Sequence, residues 1–134
     1  MAEVLFPDAE RIAISYLNTH PLLDGIHAST RIPKSLPSRF IRVQRIGGGE
    51  VSGEELVEDA VMLVEVYGSE SEANSHDASL VRAVLSGLKA TYVGDDLVYF
   101  TRGFNGFTPS PDIELQRPRH QFTFTMRTRG ELLS

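Results

Sequence analysis

The run from Glu58 to Tyr67 constrains this chain more than any other segment. Side chains alternate across a strand, so Ala60, Met62, Val64 and Val66 share one face, while Val61, Leu63 and Tyr67 share the other with Glu65. A strand apolar on nearly both faces belongs in the middle of a sheet or against a partner. The chain must therefore supply strands to flank it. Arg39 to Ile46 can be one, with Ile41 and Val43 on one side and Arg42 and Gln44 on the other. Gln121 to Thr128 can be another: Phe122, Phe124 and Met126 face one way, and Gln121, Thr123, Thr125 and Arg127 the other. Shorter extended pieces are expected at Ile26 to Ile32, at Tyr92-Val93 and at Leu97 to Phe100, the last two turning at Gly94-Asp95-Asp96.

Two segments carry helical spacing instead. Pro7 to Leu17 places Ala9, Ile12, Ala13, Tyr16 and Leu17 on one face, with Pro7 suited to the first helical position and Asp8 and Glu10 to the positive end of the dipole. Ser69 to Leu88 repeats the pattern through Ala73, Leu80, Val81, Val84, Leu85 and Leu88, with Asp77 its one polar break. Ser69 and Glu72 have the spacing of a capping box, and Gly87 lies where a C-terminal cap would be. The Pro- and Gly-rich stretch Gly103 to Pro118 reads as irregular. The expected fold is α+β: a mainly antiparallel (mixed) β-sheet with two α-helices packed on one face.

At 134 residues the chain has the length of one domain, 1–134, large enough for a core without disulfides or metal. It contains no cysteine, which removes disulfide scaffolds, thiolate zinc sites and cysteine nucleophiles together. The N-terminal residues have no basic segment followed by a long apolar run, so a signal peptide is not expected. No stretch approaches the ~20 apolar residues of a membrane span. A formal net charge of −5 argues against a dedicated nucleic-acid binder. A soluble, cytoplasmic protein is the expectation.

Charge reverses along the middle of the chain. Arg31 to Arg45 holds five bases (Arg31, Lys34, Arg39, Arg42 and Arg45) and no acid, whereas Glu50 to Glu72 holds eight acids and no base. Segregated charge of this kind suggests complementary faces, as a self-assembling subunit requires. Candidate subunit-interface residues are therefore Arg39, Arg42, Arg45, Glu58, Asp59, Val61, Leu63, Glu65 and Arg127. Gly47, Gly48 and Gly49 are expected to open a mobile loop that runs with Glu50, Glu54 and Glu55 to about Leu56. A second basic block, free of acids from Leu115 to Gly130, offers Arg117, Arg119 and Arg129 as interface or channel-lining candidates alongside Arg127.

Catalytic patterns are weak by comparison. A phosphate loop needs a helix N-terminus behind its glycines and usually a Lys-Ser/Thr pair, whereas Gly47 to Gly49 run into acids that repel phosphate. The histidines (His20, His27, His76 and His120) show no metal-binding spacing, and Asp77 is better placed to face the sheet edge or a neighbouring group than to bind metal. Asp95-Asp96 fits turn chemistry, and no serine lies in a nucleophile-elbow context.

The order of these elements resembles the tail terminator (tail completion) proteins of long-tailed bacteriophages, of the actinobacteriophage type. The residues that carry the resemblance are Phe6-Pro7-Asp8-Ala9-Glu10, Ser29-Thr30-Arg31-Ile32-Pro33, Pro37 through Gly49, Glu58 through Tyr67, Pro109-Ser110-Pro111-Asp112 and Arg119 through Met126. The resemblance implies a virion protein, assembled in the host cytoplasm and located at the head-proximal end of the tail. It implies a homo-oligomeric ring, generally of six subunits, that caps the tail tube and stops its polymerisation. Its partners would be the major tail tube protein, the head–tail connector protein and genomic DNA passing through the pore without sequence-specific binding. No cofactor, metal, membrane or catalytic residue is implied. A head–tail connector or stopper ring is the alternative of the same class. A small nucleotide-acting enzyme, resting on the glycine run and Asp95-Asp96, is the alternative of another class.

Overall fold

A computed structural model describes residues 3–133. In chain order its elements are β1 (Val4–Leu5), α1 (Ala9–Thr19), β2 (His27–Ser29), β3 (Phe40–Glu50), β4 (Val57–Tyr67), α2 (Ser71–Ser86), β5 (Lys89–Val93), β6 (Asp96–Pro109), β7 (Arg119–Arg129) and β8 (Glu131–Leu132). The main sheet has the order β2-β3-β4-β7-β6-β5, and β1 pairs separately with β8. All neighbours run antiparallel except β2 and β3, which are parallel. The fold is α+β, as the residue pattern implies. The doubly apolar β4 lies inside the sheet, between β3 and β7.

Register follows from which side chains must be dry. Val64 stands opposite Val43 on β3 and Phe122 on β7, and Met62 stands opposite Phe124. These residues are fully buried, together with Ile12, Ala13 and Leu17 of α1 and Ala78, Val81 and Leu85 of α2. Both helices therefore cover the same sheet face. Each such aliphatic or aromatic side chain contributes about 1.5–3 kcal/mol by leaving water.

Four details differ from the pattern expected of the sequence. Helix α1 begins at Ala9 with Asp8 as its cap, the Asp8 carboxylate accepting from the Arg11 N–H at 3.2 Å, so Pro7 precedes the cap instead of occupying the first turn. Helix α2 begins at Ser71 behind Glu70, whose side chain makes no cap bond, and the Ser69–Glu72 box does not form. Its first turn is fixed instead by the fully buried Asn74, whose Nδ2 donates to the Val66 carbonyl at 2.8 Å and whose Oδ1 lies 2.6 Å from His120 Nδ1.

The glycines, in turn, are not a loop. Strand β3 continues through them, with Gly47, Gly48 and Gly49 opposite Val61, Ala60 and Asp59, and Ile46 is the extra residue of a bulge. Gly48 has φ +102°, and a β-carbon there would overlap the Asp59 carbonyl oxygen and stand 3.0 Å from Ala60 Cα. Backbones approach too closely for any side chain, which explains the glycine without invoking mobility. The loop proper spans only 51–56 and is closed by the Val51 N–H donating to Val57 O at 3.1 Å.

Lastly, the segment expected to be irregular after Gly103 is mostly strand. β6 runs to Pro109 with register shifts between Arg102 and Asn105 and between Asn105 and Thr108. Phe104 and Phe107, held by this stretch, stack on Phe124 and Phe122 at centroid distances of 5.1 and 5.8 Å. Aromatic burial outweighs the low strand preference of Gly103 and Gly106.

Candidate assembly surfaces

Strand alternation leaves a second sheet face, away from the helices. It presents Asp59, Val61, Leu63 and Glu65 of β4, Arg42 and Gln44 of β3, and Gln121, Thr123, Thr125 and Arg127 of β7. Val61 and Leu63 are only partly buried there. They form a narrow apolar line, flanked by Thr123 and Thr125 on β7 and by Gln44 and Gly47 on β3.

Antiparallel pairing of β3 with β4 sets the basic arm against the acidic one within the subunit. Arg42 faces Glu65, with Nε 3.6 Å from the carboxylate, and Arg119 reaches the same Glu65 at 2.9 Å. Arg45 donates to Glu58 at 2.9 Å and to the Gly47 carbonyl at 2.9 Å. Arg127 holds Asp59 through two bonds of 2.7 and 2.9 Å, with Arg102 3.4 Å from the same carboxylate. Those hydrogen bonds from Arg127 keep the Asp59 carboxyl below the usual carboxylate range, against the opposing effect of burial. The Phe100 ring lies under both guanidinium groups, 4.8 Å from Arg127 and 5.2 Å from Arg102.

Arg39 leaves this face altogether. It donates to buried Asp77 of α2 at 2.8 and 2.9 Å, tying the start of β3 to the helix. The polar break in the α2 pattern was the signal for this bond, though nothing in the sequence named Arg39 as its partner. The His120–Asn74 contact has no such signal, because a histidine within an alternating strand reads as one more core-facing residue. Burial pushes the His120 imidazole below its ordinary value.

The two ends of the sheet differ. At the end where β3 begins and β4 finishes, a short segment after Pro109 is tightly pinned. Asp112 and Arg117 exchange backbone hydrogen bonds of 2.9 and 3.1 Å, the Leu115 N–H donates to the Asp112 carboxylate at 3.0 Å, and Arg119 Nε donates to Ser110 O at 2.7 Å. Arg117 Nη1 donates to Pro37 O at 2.8 Å, bonding this segment to the approach to β3. The Leu115 N–H is the main reason the Asp112 carboxyl titrates low. Beneath lies a fully buried stack of Phe40 on Tyr67 at 4.4 Å, and desolvation raises the Tyr67 phenol.

The opposite end carries the β1–β8 pair, the acidic loop with Glu54 and Glu55, and the β5–β6 turn. These enclose an open concavity of about 330 Å³ lined by Leu56, Tyr92, Asp95, Leu97, Arg129 and Leu132. Arg129, the last residue of β7, is exposed at this rim. Glu50 closes β3 at the same end.

The fold recurs in a virus-like particle. The structure superimposes on a chain of the "Virion of native gene transfer agent (GTA) particle" with a TM-score of 0.71 and 11% sequence identity, covering 91% of this chain and 95% of that one. The likeness covers most of both chains, and at that identity it is a likeness of fold. No protein-family model matches the chain, and no curated protein matches it in sequence. Among the described residues, no group of three or more His, Asp or Glu side chains converges as a metal site would, and no helix is long and apolar enough to cross a membrane.

Proposed function

We propose that this chain is a structural virion protein of the tail-terminator type, a single domain over 1–134 whose copies close into a ring, six in number, at the head-proximal end of a tail. The observation that carries this reading is the near full-length fold shared with a chain of a gene transfer agent virion. The resemblance of the sequence blocks to tail terminators supplies the finer role: capping the tail tube, ending its polymerisation and offering the connector a surface to join. The role requires no catalytic group or cofactor.

The placement of charge refines which residues would act. Arg42, Asp59, Glu65, Arg119 and Arg127 pair with one another on the face away from the helices, and Arg45 pairs with Glu58 on the helix side, so these residues would stiffen the subunit more than attract a neighbour. Val61 and Leu63 on that face remain candidates for contact. The glycines lie within β3, so contact with the tube or connector would fall to the 51–56 tip with Glu54 and Glu55, and to Glu50 at the end of β3. With a net charge of −5, the ring would let DNA pass without holding it.

Electron microscopy and mass measurement of the purified protein test the proposal. Closed rings with a central pore that attach to the ends of purified tail tubes are expected. A protein that stays monomeric at high concentration and ignores tail tubes would remove the reading. Rings that bind DNA-filled capsids instead of tubes would transfer it to the connector side.

A further inference from the structure

The two ends of the subunit are complementary to each other. Ile113 is 87% exposed, yet it sits on a segment fixed by the Asp112–Arg117 backbone pair and the Leu115 bond to Asp112. A residue whose backbone is already fixed gives up only side-chain freedom when it is buried against a partner, which lowers the ordering cost. Exposed Leu36 stands nearby, because Arg117 Nη2 donates to its carbonyl at 3.4 Å. The segment leading to Leu36 carries exposed Arg31 and Lys34 and no acid.

At the other end, one strand length away, the 330 Å³ concavity has a mixed lining, with Leu56, Tyr92, Leu97 and Leu132 beside Asp95, Asp96, Arg129 and Glu131. Tyr92 is 64% exposed and Leu132 48% exposed there. The rim carries Asp95 and Glu131 together with Arg129. A knob on one end and a hollow on the other cannot meet within one subunit.

We infer that the Ile113 end of one copy docks into this concavity on a second copy. Ile113 enters between Tyr92 and Leu132, Lys34 faces Asp95 and Glu131, and Glu114 faces Arg129. The contact is heterologous: each copy that offers its knob keeps an open hollow, so association continues until the ring closes. This inference rests on the proposed ring, but it names a contact that the ring reading does not require.

The absence of native cysteine makes a direct test clean. The doubly substituted I113C/Y92C chain, oxidised after assembly and run without reductant, should give a ladder of covalent multimers up to the ring size. Pairing I113C with L22C, which is equally solvent-facing at 63% exposure, should give no ladder. In the same preparation, E114R and R129E should each weaken assembly about tenfold and together restore it. Rings that form with no I113C/Y92C ladder would overturn this contact and leave the ring standing. A ladder without closed rings would support the contact and remove the ring. A monomeric parent protein would overturn both.

Discussion

Asp59 on β4 accepts two hydrogen bonds from Arg127 on β7, at 2.7 and 2.9 Å, across 68 residues of sequence. The pair fastens the central strand to the last long one, and the sign of its pH dependence follows. The native Asp59 carboxyl is held below the ordinary value near 3.8. Its contribution is therefore present above that value and lost as pH falls through the native one. D59N should flatten the acid limb of the stability curve below about pH 4. D59A should cost about 1–3 kcal/mol, read as a shift in the urea midpoint.

Gly48 and Gly53 offer a contrast within one hairpin. Both have positive φ, +102° and +80°, but only Gly48 faces the Asp59 carbonyl, while nothing lies within 4 Å of a β-carbon at Gly53. G53A should cost about 1–2 kcal/mol from backbone strain alone. G48A adds a backbone collision and should cost about 2–4 kcal/mol more, or shift the β3–β4 register. Thermal melts of the two variants side by side decide it.

His120 should make stability depend on pH in a second window. Burial depresses its native pKa below 6.5, so the unfolded chain takes up a proton first. Stability is full above about pH 6.5 and falls as pH drops toward the native value. H120Q, which can still bond Asn74, should remove that slope while keeping the fold. Circular dichroism melts between pH 7 and pH 5 measure the difference.

Arg39 is a poor place to probe assembly, despite its location in the basic arm. R39E would set a second acid against Asp77, which is 4% exposed. The expected loss is about 2–4 kcal/mol of folding stability, visible in a melt before any ring is examined. R129E, at an exposed strand end, should leave the melting temperature within about 2 °C of the parent.

Much of the architecture was legible in the residues. The doubly apolar β4, the alternation of β7 and the periodicity of both helices follow from side-chain burial, which acts locally and repeats. The misjudged strand segments depend on contacts distant in sequence. Gly47 to Gly49 look like a loop until Asp59 and Ala60 are seen pressed against them. Gly103 to Pro109 look irregular until Phe104 and Phe107 find Phe122 and Phe124. The same limit applies to the surfaces. Charge reversal between Arg31 and Glu72 was plain in the sequence, but only the β3–β4 register, Arg42 opposite Glu65, reveals that much of it is neutralised within one subunit. Ile113 carried no signal at all, since an exposed aliphatic on a pinned turn looks like any other loop residue in one dimension.

The sheet order also dictates when a newly made chain becomes usable. β4 waits for β7, some sixty residues later, and β1 waits for β8. A ribosome adding roughly 5–20 residues per second leaves the apolar middle strand open on one edge until synthesis of the described chain is nearly over. A fragment that ends before β7 keeps one edge of β4 unpaired, so a shortened chain is marked by an exposed apolar strand.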